Sequence, residues 1–293
     1  MTAGRKKGLL FASAGSIFWG SSGIAGQFLL INENIAPEWL TFFRLLCAGF
    51  LLLLLSHFLK GNISAIWKDR RDRRTLLIFS AFGMLGTQYG YFASIRCSNA
   101  PTATILEYLM PILIIFWYCL SEKRWPRTVE ICCALFAITG TALIATGGDF
   151  RSLSISGKAL FWGLLSALAC ALYTVEPVGI IKKYGAPLVV GWGMFLASFV
   201  LLPVVALTPF TGTVDMPVLL SFAYVVLFGT ICSFVLYLGS VAYILPTEAS
   251  IISAIEPLSS IIFSFLIFHL TFGFWELMGM ALIILAVAVV ARK

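Results

Sequence analysis

Ten apolar runs, each close to the length of a bilayer-spanning helix, follow one another along this chain. They lie near residues 9–31, 38–58, 75–95, 101–121, 127–146, 157–181, 187–208, 217–241, 247–269 and 274–291. A helix needs about 20 mostly apolar residues to cross the hydrocarbon core. In lipid every backbone N–H and C=O must find an internal partner, and for runs of this length the α-helix supplies it. The 293 residues are 60% hydrophobic and 11% charged, with mean hydropathy +0.99. Soluble domains are about half apolar and about a quarter charged. The surplus apolar surface must therefore face lipid. The expected fold class is an all-α polytopic membrane protein of ten transmembrane helices, with short connections and no attached soluble domain.

Charge sets the expected orientation. With the N-terminus inside, the cytoplasmic segments hold Arg5, Lys6, Lys7, Lys60, Lys68, Arg70, Arg71, Arg73, Arg74, Lys123, Arg124, Arg127, Lys182, Lys183, Arg292 and Lys293. The external segments hold only Arg96, Arg151 and Lys158, and Arg44 falls inside the second run. Such a bias is the positive-inside pattern, with both termini cytoplasmic. It accounts for the net charge of +7 without a nucleic-acid partner. Trp39, Trp125 and Trp275 near run ends suit interfacial belts. Arg5, Lys6 and Lys7 precede a run too long for a signal peptide, so it reads as a retained first helix. Short loops and the absence of targeting extensions point to a bacterial cytoplasmic membrane. The seven cysteines lie mostly within apolar runs and show no metal-type spacing, so they read as small packing groups.

A shift of 146 residues lays the third to fifth runs on the eighth to tenth without a gap. Phe82 falls on Phe228, Gly83 on Gly229, Tyr91 on Tyr237, Ser94 on Ser240, Ala103 on Ala249 and Ile105 on Ile251. Pro111 falls on Pro257, Glu130 on Glu276 and Ala145 on Ala291; a slightly larger shift brings Pro37 onto Pro187. Two units are expected, residues 1–148 and 149–293, each of five helices. An odd number inverts the second unit relative to the first. Inverted repeats are a transporter device, with the substrate site near the midplane between them.

These residues also carry a resemblance. Phe18-Trp19-Gly20, Phe43-Arg44, the Ala103–Pro111 stretch echoed by Ala249–Pro257, and Glu130 with Glu276 resemble the EamA-type, ten-helix branch of the drug/metabolite transporter superfamily. The resemblance covers nearly the whole chain. It departs at Cys133, where the first repeat often has glycine; Gly279 keeps glycine in the second. It implies carriage of small metabolites such as amino acids, amines or drugs, frequently outward.

Charges in a bilayer are costly and need a reason. Glu107, Glu176, Glu256 and Arg44 are the intramembrane charges. An Arg44–Glu107 ion pair is one expectation; it would leave two acids for protons or a cationic substrate. Glu176 and Glu256 each precede a proline, which removes a backbone donor and kinks a helix. Pro111 and Pro257, at matching positions, are the expected hinges. Glu130, Glu248 and Glu276 open helices, where a carboxylate favours the N-terminal dipole. Trp19, Tyr89, Tyr91, Tyr173 and Tyr237 lie near the acids in depth, and aromatics beside carboxylates can box an ammonium group. The expected cavity lining is therefore Trp19, Tyr89, Tyr91, Glu107, Tyr173, Glu176, Tyr237 and Glu256.

His57 and His269 sit at opposite membrane faces, and no P-loop, HExxH or GxSxG occurs. No enzyme, cofactor or metal centre is expected. Energy would come from an ion gradient, protons included, or from the solute's own gradient. Export and uptake are both open. The competing class is a membrane receptor or scaffold that uses the bundle without translocation.

Overall fold

The computed structural model describes residues 3–59, 62–149, 154–240, 243–244, 252–253 and 255–290. The expected helix-opening Glu248, and Ala249, Ile251 and Ala291 of the repeat, lie outside them. Among the described residues every regular element is helical. Helix α1 (Ala3–Gln27) continues through a π turn at Phe28–Asn32. Helix α2 (Pro37–Phe58) opens on a proline, whose fixed φ and missing N–H suit a first turn. Helices α3 (Arg70–Ile78) and α4 (Leu85–Cys97) form one rod through a π turn at Phe79–Met84.

Helices α5 (Ala100–Glu107) and α6 (Met110–Ser121) are halves of one apolar segment. Helix α7 spans Thr128–Thr146. Helices α8 (Gly157–Val175) and α9 (Val178–Tyr184) are again halves of one run. After α10 (Ala186–Leu207) come α11 (Met216–Val226) and α12 (Ser233–Ser240), joined by a π turn at Leu227–Cys232. Helices α13 (Ile255–Phe268) and α14 (Phe274–Val290) complete the described chain.

Two runs expected as continuous helices are interrupted. Pro111 has no N–H to offer the carbonyl of Glu107, and Pro177 has none for Tyr173. Each helix stops before its proline and restarts around it. Among the described residues seven segments are long and apolar enough to span a bilayer: Gly4–Asn32, Pro37–Phe58, Ala100–Ser121, Thr128–Thr146, Gly157–Val175, Ala186–Leu207 and Met216–Tyr237. Ile255–Phe268 and Phe274–Ala286 are shorter apolar helices. The rod Arg70–Cys97 matches them in length and is more polar.

The exterior is apolar: Phe50, Leu54, Phe161, Leu168, Phe199 and Phe265 all face outward. The interior holds Ser16, Ser94, Ser166, Ser198 and Thr230, all buried. An apolar exterior over an interior that mixes apolar clusters with buried hydroxyls fits a lipid solvent, where close packing rather than water exclusion binds helices together.

The helices pack as an approximate twofold. Helix α2 lies along its counterpart α10, and α7 along its counterpart α14. Helix α1 packs on α12 and α13, and its counterpart α8 packs on α4, α5 and α6. Glycines set the closest crossings. A Cβ at Gly140 would stand 2.6 Å from the carbonyl oxygen of Gly279, and one at Gly279 would stand 2.5 Å from that of Gly140.

The connections sort to two ends. At one end Thr211 donates to the Asn34 carbonyl at 2.7 Å, Thr213 to Glu33 at 3.2 Å, and the Trp39 indole to the Thr208 carbonyl at 3.0 Å. Arg96 also hydrogen-bonds Asn34 there. At the other end the Trp192 indole donates to the Ile63 carbonyl at 2.8 Å, and Lys183 meets Asp72 at 2.6 Å.

Candidate solute-binding site

The interruption of the fourth segment places Glu107 at the end of α5, followed by a turn at Tyr108 and Leu109. Glu107 is half-buried inside the bundle and accepts a hydrogen bond from Ser166 of α8, whose hydroxyl also lies 3.0 Å from the Thr87 carbonyl. Glu256 stands in the first turn of α13, beside Pro257. Pro257 cannot pair with the carbonyl of Ser253. The Tyr108 hydroxyl fills that vacancy, donating to the Ser253 carbonyl at 2.5 Å with the Glu256 carboxylate 3.3 Å away. A side chain at the break in one repeat thus satisfies the carbonyl freed by the matching proline in the other.

Arg44 of α2 is 6% exposed. Its Nε donates to Thr230 Oγ1 at 3.0 Å and its Nη2 to the Gly229 carbonyl at 3.3 Å. Its guanidinium lies 5.1 Å from the centre of the Phe92 ring. Both oxygens belong to the π turn Leu227–Cys232, whose altered register leaves carbonyls available. The expected Arg44–Glu107 pair is absent from the ion pairs of the described residues, because each charge is held by hydroxyls and carbonyls instead.

Among the expected lining residues, Tyr91, Glu107, Tyr173, Tyr237 and Glu256 come together. Arg44, Glu107 and Glu256 all interact electrostatically with Tyr91. Glu107 and Glu256 interact with each other, and Tyr237 interacts with Glu256. Tyr91 is fixed by a 3.0 Å bond to Thr104, and Tyr173 stacks on Phe79 at 5.5 Å. Trp19 of α1 joins through Tyr237, with ring centres 5.2 Å apart. Two expected members lie apart. Tyr89 donates to Glu38 at 2.7 Å, near the start of α2, and packs edge-on against Trp162. Glu176 caps α8 at the Pro177 break, and no polar contact among those described joins it to Glu107 or Glu256.

Tyr108, Ser166 and Thr230 are site residues outside the expected lining. The sequence does hold one signal for Tyr108: a tyrosine between an intramembrane acid and a repeat proline. The two π turns follow the repeat, since Ala81–Met84 falls on Leu227–Thr230 under the 146-residue shift. Yet the crossing is polar on one side only. The counterparts of Thr230 and Arg44 are Met84 and Met194, both buried in one apolar cluster.

An all-helical bundle with an apolar exterior, charged groups held in its interior and two interlocked copies of one unit defines a polytopic membrane protein of the transporter kind. Residues 6–146 and 157–292 each match the EamA-like transporter family, and the chain belongs to it. It is 38% identical to the uncharacterized inner membrane transporter YicL of Salmonella typhimurium over 286 residues, covering 98% of this chain and 95% of that protein. It is 24% identical to the uncharacterized transporter YdeK of Bacillus subtilis, with 90% of each chain covered. One solved crystal structure superposes with a TM-score of 0.64 at 16% identity, over 97% of this chain and 96% of that one. The likeness to it is one of fold.

Proposed function

We propose that this membrane transporter carries a small organic solute bearing an ammonium group, an amino acid or amine, by secondary-active alternating access. The supporting observation is the set of Arg44, Glu107 and Glu256, three interior charges that interact electrostatically without forming a direct ion pair among the described residues. Each is held by neutral donors or acceptors from a different helix. A charge at membrane depth is costly, so such groups mark substrate and ion pathways. The two carboxylates suit an ammonium group, the tyrosines supply π faces for it, and the guanidinium suits a carboxylate. Protons or another cation would compete for the same carboxylates.

In this reading ten helices cross the membrane with both termini cytoplasmic. The break at Glu107–Met110 and the proline at 257 would let each repeat bend around the site. Flux of radiolabelled amino acids and amines into proteoliposomes tests the proposal. A saturable flux that Glu256→Gln reduces supports it. Specific binding without flux of any solute would instead favour a receptor or scaffold.

A further inference from the structure

Helix α3 carries arginines at 70, 71, 73 and 74 within nine residues. At 3.6 residues per turn, these four and Leu77 share an arc of roughly 160°. The opposite face carries Asp72 and the fully buried Leu76. The helix's acidic groups are already engaged. Asp72 accepts from Lys183 Nζ at 2.6 Å and from the Tyr184 hydroxyl at 2.7 Å. Asp69 accepts the backbone N–H groups of Arg71 at 2.8 Å and Asp72 at 3.2 Å, and lies 3.6 Å from Lys183. None of the four arginines takes part in an ion pair among the described residues.

They line, with Leu77, an open cavity of about 630 Å³ on the surface. Leu77 is 47% exposed and stands where the rod turns apolar. The cavity is therefore cationic on one side and borders hydrocarbon on the other. The positive-inside pattern accounts for basic residues at this end of the chain; their gathering on one face of one helix, without an ion-pair partner among the described residues, is the further feature.

We propose that this cavity binds the phosphate of an anionic phospholipid, with Leu77 against the upper acyl chain. Guanidinium forks match phosphate oxygens in pairs, and basic groups at the membrane surface attract acidic lipids. The Lys183–Asp72 clasp strengthens the site by removing the nearest carboxylate from the arginine face.

Native mass spectrometry of the purified full chain tests this, with phosphatidylglycerol, phosphatidylcholine and inorganic phosphate added in separate arms. Phosphatidylglycerol is expected to stay bound where phosphatidylcholine is lost. Substituting Arg70→Gln, Arg71→Gln, Arg73→Gln and Arg74→Gln together should weaken its retention by more than about tenfold. The four-lysine version keeps the charge and the fold while losing the forks, and should retain an intermediate amount. Equal retention of both lipids, or undiminished retention by the glutamine variant, would overturn the proposal. Inorganic phosphate displacing phosphatidylglycerol at equal concentration would overturn the lipid assignment.

Discussion

Arg44 shows how a costly charge is kept without an opposite charge beside it. Two of its five donors go to a threonine hydroxyl and a carbonyl of a π turn, and its guanidinium lies 5.1 Å from the centre of the Phe92 ring. Because the counterpart crossing is made by Met84 and Met194, Arg44→Met should fold, with Thr230 still satisfied by the Val225 carbonyl at 3.0 Å. Loss of a charge-assisted hydrogen bond to solute, about 1.5–3 kcal/mol, would weaken its affinity by about ten- to hundredfold. Solute-dependent thermal shift reads that loss directly. Tyr108→Phe tests a different contribution. It removes the hydroxyl that donates to the Ser253 carbonyl, and an interhelical hydrogen bond in a membrane bundle is worth about 0.6 kcal/mol and at most about 1.7. The variant should melt a few degrees lower in detergent, and unchanged melting would mean the freed carbonyl has another partner.

Helix pairs decide which changes the bundle tolerates. Helices α7 and α14 meet through Gly140 and Gly279, where any side chain strikes backbone. Gly140→Leu should force the pair apart at a cost of about 1–3 kcal/mol. Lower yield of monodisperse protein in size-exclusion chromatography is the expected result. The clasp between α3 and α9 is electrostatic and responds to acid. Hydrogen bonds from Lys183 and Tyr184 hold the Asp72 carboxyl below its ordinary value of 3.8. A depressed carboxyl contributes stability that is complete above that ordinary value and is lost as pH falls through the lowered one. The melting-temperature gap between the parent protein and Asp72→Asn should therefore be constant down to about pH 5 and close in stronger acid. A gap that persisted unchanged in strong acid would rule out the charged clasp as its source.

For the molecule as a whole, the interlocking of the two copies is the property that matters. Helix α1 sits among elements of the second repeat and α8 among those of the first, so neither copy closes its interior alone. Co-expressed separate halves are expected to recover transport only together, and activity from one half would contradict that interdependence. Cysteine accessibility in intact cells tests the orientation. A cysteine placed at Lys7 should be protected, and one placed at Thr211 should react with an impermeant reagent. The opposite pattern would invert the protein in the membrane.

Much of this was legible in the order of residues. Apolar runs of bilayer length admit helices because lipid offers the backbone no partner, and the 146-residue repeat, with Pro111 on Pro257 and Phe82-Gly83 on Phe228-Gly229, marks two copies of one unit. The interior acids stood out because charge at membrane depth is rare. Three-dimensional packing decided the rest. It gave Arg44 a π turn as partner, drew Tyr89 to Glu38, left Glu176 apart, and brought Tyr108 to the carbonyl that Pro257 releases. Spacing along one helix reports which face a residue shares. It does not report which distant helix supplies the partner, because that depends on how closely two backbones approach and on where each ladder of hydrogen bonds is broken.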